Sequence, residues 1–302
     1  MKTTLRKTGG SSNPPSSTPV GGRFGAALLG CLVALAIGAS NANAGTLYNG
    51  WNYAIDSFVD GSPKAGSSYE QYGLAFRQIG MTGYFAINGS MPLAGVSVRD
   101  APNGSVAYGD LFLNFSGWDL DNKGAFSDPG VFAIRFSSAN DSLGNLPGKL
   151  NPTLGLFSNL EVASFSSDNR GYDSLEQYYA FGWGKTNAMG DLDTPEKVLE
   201  YLGGGKMYAN ITAGTWLSGL DELNASELRD DLGLDFARFG PVGLHVFGFS
   251  VDLSALPRGE FTAHFLEECI NDGVALKAQI PEPGTLALLG LALAGVPLRR
   301  RR

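Results

Sequence analysis

The chain has 302 residues, among them 42 glycines, 18 phenylalanines and 11 tyrosines, and a formal net charge of −7. Twenty-two basic side chains against 29 acidic ones leave no basic footprint for phosphate recognition, which disfavours nucleic acid or an anionic membrane surface as partner. The cysteines are Cys31 and Cys269; with the first in an apolar leader, a disulfide-stapled small-domain scaffold is ruled out.

The N-terminal region reads as a targeting segment. Lys2, Arg6, Lys7 and Arg23 precede any acidic residue, an apolar stretch runs from Phe24 to Ala39, and Ala42 and Ala44 place small residues where a signal peptidase reads them. Cleavage is expected before Gly45, with residues 1–44 forming a signal helix behind a long Gly/Ser/Pro-rich leader. Cys31 sits inside the apolar stretch, not at its end, and reads as a small residue of that helix.

From Gly45 onward, short apolar or alternating runs are broken by turn residues, the pattern of sheets. Strands are predicted over Thr46 to Tyr53, Tyr69 to Phe76, Gly83 to Asn88, Ser105 to Phe115, Val131 to Phe136, Val162 to Phe165, Gln177 to Gly182, Lys206 to Ile211, Gly243 to Ser250 and Glu260 to Glu267. In the last, Phe261, Ala263 and Phe265 alternate with Thr262, His264 and Leu266, the period of two that a pleated strand imposes. Asn88-Gly89 and Asn103-Gly104 read as turns, because both positions tolerate positive φ. Tyr84 to Ile87 and Val131 to Ile134 echo one another, as two core strands of similar composition would.

Helices are predicted in two places. Thr194-Pro195-Glu196 supplies a cap, a proline at the first helical position and an early acid, and Gly203 to Gly205 stop the helix. Leucines at 220, 223, 228 and 232 mark a second amphipathic segment. Many short strands with one or two short helices predict an all-β fold, a β-sandwich or jelly-roll-like domain over residues 45–280. A β-helix and an outer-membrane barrel are the alternatives; strand spacing is irregular for the first, and strands are short for the second.

Chemistry is sparse. His245 and His264 stand on separate predicted strands, without a nucleophile elbow or a set of zinc ligands around them. Glu70, Asp110, Glu161, Glu176, Glu260 and Glu267 lie nearest the strands, but no spacing selects a catalytic pair. A non-enzymatic body is therefore expected, with no cofactor except calcium as an alternative. Asp119, Asp121 and Asp128 occupy an acidic loop whose opening resembles a helix-loop-helix calcium loop, yet Lys123 and Gly130 fill ligand positions, leaving only a different oxygen cage. Tyr178, Tyr179 and Trp183 cluster as a carbohydrate-stacking face, with exopolysaccharide the partner it would bind.

The last residues are the most specific. Pro281-Glu282-Pro283-Gly284 leads into the eleven-residue apolar run Leu286 to Val296 and then Arg299, Arg300, Arg301 and Arg302. The run is shorter than the ~17–25 residues of a comfortable transmembrane helix, and the arginines favour a cytoplasmic end. This three-part tail, residues 281–302, resembles the PEP-CTERM sorting signal of Gram-negative bacteria. The resemblance implies an exosortase-like membrane protease as processing partner, a transient inner-membrane stage, and a destination at the cell surface or in the extracellular matrix. Glu268-Cys269-Ile270-Asn271-Asp272, ahead of the tail, resembles an element of exosortase-dependent surface proteins and implies surface display. Without both labels, the exported part carries 14 basic and 28 acidic side chains.

Overall fold

A computed structural model describes residues 45–62, 66–145, 151–181 and 189–281. The signal segment, Trp183 and the tail beyond Pro281 lie outside these residues, so the two flanking apolar helices expected from sequence do too. Among the described residues, no helix is long and apolar enough to cross a membrane.

The chain order is β1 (Thr46–Tyr48), β2 (Trp51–Ile55), β3 (Gln71–Ile79), β4 (Thr82–Gly89), β5 (Val96–Ser97), β6 (Ser105–Val106), β7 (Leu111–Asn114), β8 (Val131–Arg135), β9 (Gly155–Ala163), α1 (Leu175–Phe181), α2 (Pro195–Leu202), β10 (Asn210–Ser218), β11 (Leu220–Leu223), β12 (His245–Asp252), β13 (Gly259–Leu266) and β14 (Gly273–Ile280). Two antiparallel six-stranded sheets result, in the orders β1-β2-β3-β4-β12-β11 and β10-β9-β8-β7-β13-β14, with β5-β6 as a small separate ribbon. This is a β-sandwich-like core with few short helices.

Aromatic side chains interdigitate between the sheets. Phe76 of the first meets Phe261 of the second edge-to-face at 5.3 Å, and Phe249 stacks on Phe136 at 5.2 Å. Such pairs add about 0.5–1.5 kcal/mol each beyond the area they bury. Each sheet is also covered on its outer face. Leu175 and Tyr178 of α1 and Val198 and Leu202 of α2 close over Phe112, Phe157 and Ala275. Trp51, Tyr53, Ala75 and Ala86 lie under Leu228, Leu234 and Phe236. With both faces buried, alternation fades from the sequence.

The structure departs from the predicted elements in several places. The first predicted strand is a hairpin, folded at Asn49 (φ 50°) and Gly50 (φ 79°). Asn88-Gly89 is no turn; it ends β4, opposite Val246 and His245, and the β3–β4 hairpin turns instead at Gly80-Met81. The strand predicted over Ser105 to Phe115 breaks between Ala107 and Asp110. There Gly109 N–H donates to Leu266 and Asp110 N–H to Ala209, so Tyr108 and Leu111 both reach the inter-sheet core.

Of the strand predicted over Gln177 to Gly182, the described part, Gln177 to Phe181, lies in helix α1. Ser174 Oγ caps the Gln177 N–H at 3.1 Å while Gln177 Oε1 accepts from Asp173 N–H at 2.6 Å, a reciprocal cap that outweighs the strand preference of two tyrosines. The segment 220–232 splits into edge strand β11 and one helical turn, Glu227–Asp231. Helix α2 begins and ends as predicted, with Thr194 Oγ1 accepting from Lys197 N–H and Gly203 at φ 78°. The strands predicted near 162–165 and 206–211 are offset, and β14 was not foreseen.

Candidate metal centre

Two buried polar centres flank the turn between β13 and β14. The turn itself is tight: Ile270 N–H donates to Glu267 O, Glu267 N–H donates to Asp272 O, and Ile270 takes φ 55°. Glu267 and Glu268 follow the end of β13 in succession, Glu267 in a bridge with Tyr108 and Glu268 in the turn.

The Glu268 side belongs to a network in which the Glu268 and Asp110 carboxylates are fully matched, while Arg135 Nη2 and Asn210 Oδ1 have no partner among the described residues. Glu268 Oε1 accepts from Asp141 N–H and from Asn210 Nδ2 (2.9 Å), and Oε2 accepts from Ala107 N–H at 3.0 Å. Asp110 Oδ1 accepts from Asn140 Nδ2 (2.9 Å), and Oδ2 accepts from Ser142 Oγ (2.6 Å) and Ile211 N–H (2.7 Å). Arg135 joins through Nε to Asn140 Oδ1 at 2.9 Å. Burial pushes Asp110 up to about 6 against these hydrogen bonds and the Arg135 charge, and pushes Glu268 well above the carboxylate range. Every oxygen of these two carboxylates has a donor, which marks the network as structural.

The Glu267 side differs. Asp56 follows β2, Asp60 lies in the loop toward β3, and Asp272 directly precedes β14. One carboxylate oxygen from each lies within 4.8 Å of the others, and all three residues are buried. Asp272 Oδ2 accepts from Gln71 N–H at 2.7 Å and Oδ1 from Gly273 N–H at 2.8 Å. Asp56 Oδ1 accepts from Gly190 N–H at 3.0 Å. Glu70 stiffens the loop, accepting from the amides of Asp60, Gly61 and Gly66. Gln71 Nε2 donates to Glu267 Oε1 at 2.6 Å, and Ser62 N–H to Asn271 O at 2.9 Å, fastening this loop to the β13–β14 turn.

Among the described residues, Asp56 Oδ2 and Glu267 Oε2 are buried carboxylate oxygens here with no hydrogen-bond donor. Among the described residues, no ion pair includes Asp56, Asp272 or Glu267. Burial, followed by the charge of Asp60, holds Asp56 well above the usual carboxylate range. Burial raises Asp272 likewise, followed by Asp56, Asp60 and Glu267. Buried carboxylates this close repel unless protons or a cation intervene. The donors are all hard oxygens, the set that suits calcium, magnesium or manganese rather than zinc or copper.

The residues singled out from sequence are distributed otherwise. Asp119 and Asp121 are exposed and line one hollow with Trp118 and Asn122. Asp128 turns away from it, its Oδ1 accepting from Gly130 N–H at 2.7 Å after the 3₁₀ segment Lys123–Ser127. Among the described residues, the acidic group with ligand atoms in mutual reach is Asp56, Asp60 and Asp272, not this loop. Tyr178 is buried, its hydroxyl donating to Asp60 O at 3.3 Å, and Tyr179 is half-buried beside it. His264 is buried, stacked on Phe112 at 5.4 Å with Nδ1 3.3 Å from the Tyr201 hydroxyl; burial lowers it to about 3. Cys269 is buried beside Ala101 and Val106, as a small hydrophobe.

Sequence reasoning missed Asp56 and Asp60, since two acids four apart in a loop carry no motif. Asp272 lies more than two hundred residues away, and only the strand pairing brings it near. The signal within reach was the Glu-Cys-Ile-Asn-Asp element itself, whose acids sit at both ends of the turn.

Residues 279–302 match the PEP-CTERM protein-sorting motif. Comparison with curated proteins returned no match, and comparison with solved structures returned none. The tail marks an exported, surface-associated bacterial protein that an exosortase-like enzyme processes.

Proposed function

We propose that this PEP-CTERM-tagged chain is a non-catalytic constituent of the cell surface or extracellular matrix of a Gram-negative bacterium, its body a β-sandwich delivered by two removable labels. The tail carries this reading. Its match begins at residue 279, inside β14, so the sorting label follows the last core strand without a linker. Ile280 is buried and Pro281 exposed, which puts the boundary between body and label at the protein surface.

The N-terminal side supports removal of residues 1–44 by signal peptidase. Gly45 N–H donates to Asp191 Oδ2 at 3.2 Å, and the same oxygen accepts from Lys277 N–H at 2.7 Å. Cleavage before Gly45 converts that amide into an ammonium already beside a carboxylate. A non-catalytic body is supported by the placing of its reactive groups: His264 lies within an aromatic stack, and the most strongly shifted carboxylates are buried rather than lining a groove.

Cell fractionation with intact-mass measurement tests the reading. The expected product starts at Gly45, has lost its arginine-rich tail and is found outside the inner membrane. Full-length chain dissolved in the cytosol would overturn it.

A further inference from the structure

We propose that Asp56, Asp60 and Asp272 form a calcium site that pins the two sheets of the sandwich together. Asp56 and Asp60 belong to the β2–β3 connection of the first sheet, and Asp272 directly precedes β14 of the second. A shared ion would therefore cross-link the sheets at the strand that leads into the sorting tail.

The geometry fits that ion. Calcium–oxygen bonds of 2.3–2.6 Å let oxygens up to about 5 Å apart share one ion, and the three carboxylates offer atoms within 4.8 Å. A second observation points the same way: Asp56 Oδ2 is a buried acceptor with no hydrogen-bond donor, on a residue only 4% exposed. Unmatched buried acceptors are rare and need a partner, and a cation supplies one. Glu267 Oε2 is likewise unmatched among the described residues, and Gln71 links that residue to the site, its N–H on Asp272 Oδ2 and its Nε2 on Glu267 Oε1. Calcium is preferred to magnesium because it takes irregular sets of six to eight oxygens, whereas magnesium keeps several waters and a strict octahedron. Exported calcium modules hold the ion with dissociation constants of about 10⁻⁴–10⁻³ M, a range that leaves the site unfilled at low calcium. The sandwich would then reach full stability only after export. This inference does not depend on whether the body is catalytic.

The test uses the full chain, stripped with chelator and titrated with calcium while Tm is followed. Terbium luminescence, sensitised by aromatic side chains such as Tyr178, provides a direct binding signal. At a hundredfold excess over Kd, calcium raises the folded-to-unfolded ratio about a hundredfold and Tm by roughly 5–10 °C. Asp56→Asn and Asp272→Asn should abolish the calcium increment, and Asp56→Asn should raise Tm in chelator by relieving repulsion. Asp119→Asn with Asp121→Asn should leave the increment intact. A wild-type chain with neither Tm shift nor terbium signal at about 10 mM metal would overturn the site. So would an increment that survives Asp56→Asn or disappears with the Asp119/Asp121 pair. Should Asp272→Asn fail to fold, Asp56→Asn and the wild-type titration decide.

Discussion

Glu267 and Glu268 are neighbours in the chain and both fully buried, yet they serve opposite surroundings: Glu268 has donors on both oxygens, while Glu267 Oε2 accepts no hydrogen bond. The contrast arises past the end of β13, where Glu267 still bridges to Tyr108 and Glu268 enters the turn.

Substitution should separate the two acids. Glu268→Ala strands Ala107 N–H, Asp141 N–H and Asn210 Nδ2 in the interior, and each unmet buried donor costs about 1–3 kcal/mol. Glu267→Gln keeps the acceptor that Gln71 uses and removes a buried charge, so it should be neutral or stabilising in chelator. Denaturant unfolding of both variants checks this; equal destabilisation would contradict the assignment of the two surroundings.

The pH dependence is set by opposed groups. His264, held down to about 3 by burial, contributes stability that is complete above an unfolded pKa near 6.5 and is lost as pH falls toward 3. Asp110, raised from 3.8 to about 6, contributes stability that is complete below 3.8 and is lost as pH rises through 6. At about 1.36 kcal/mol per pKa unit, His264 contributes on the order of 5 kcal/mol and Asp110 on the order of 3. His264→Phe should flatten the loss on acidification between pH 6.5 and 4, and Asp110→Asn should steepen it. Unfolding free energies across that range are the readout.

Gly109 should not tolerate a side chain. A Cβ there would lie 2.5 Å from Ala209 O and 2.7 Å from Leu266 O, both backbone atoms that hold the broken β6–β7 segment against its neighbours. Gly109→Ala is expected to destabilise by about 1–3 kcal/mol through overpacking. Thermal unfolding of the variant gives the value.

The Asp191 pair offers a test of processing. Burial raises Asp191 to about 6 while its partner is the Gly45 amide. An ammonium at Gly45 would bring that value down. Asp191→Asn should therefore destabilise the processed body near pH 7 and leave the uncleaved precursor little changed. Tm measured for both forms distinguishes them.

Thr194→Ala removes the acceptor for Lys197 N–H at the start of α2 and should lower stability by about 1 kcal/mol. Because α2 covers the outer face of the second sheet, hydrogen exchange of its amides should rise more than that of β13.

By itself the sequence determined the sorting tail, the all-β class, helix α2 with both its ends, and the alternation of β13. These depend on local features: a charge block beside an apolar run, a capping threonine, a glycine stop, a period of two. Local signals failed where both faces of a strand are covered, as at β14, and where a capping serine turned a tyrosine-rich strand candidate into α1. The acidic centre was decided by tertiary structure alone, because antiparallel pairing sets Asp272 beside a loop more than two hundred residues earlier. No spacing along a chain encodes that distance; the register of β13 with β14 and the packing of two sheets do.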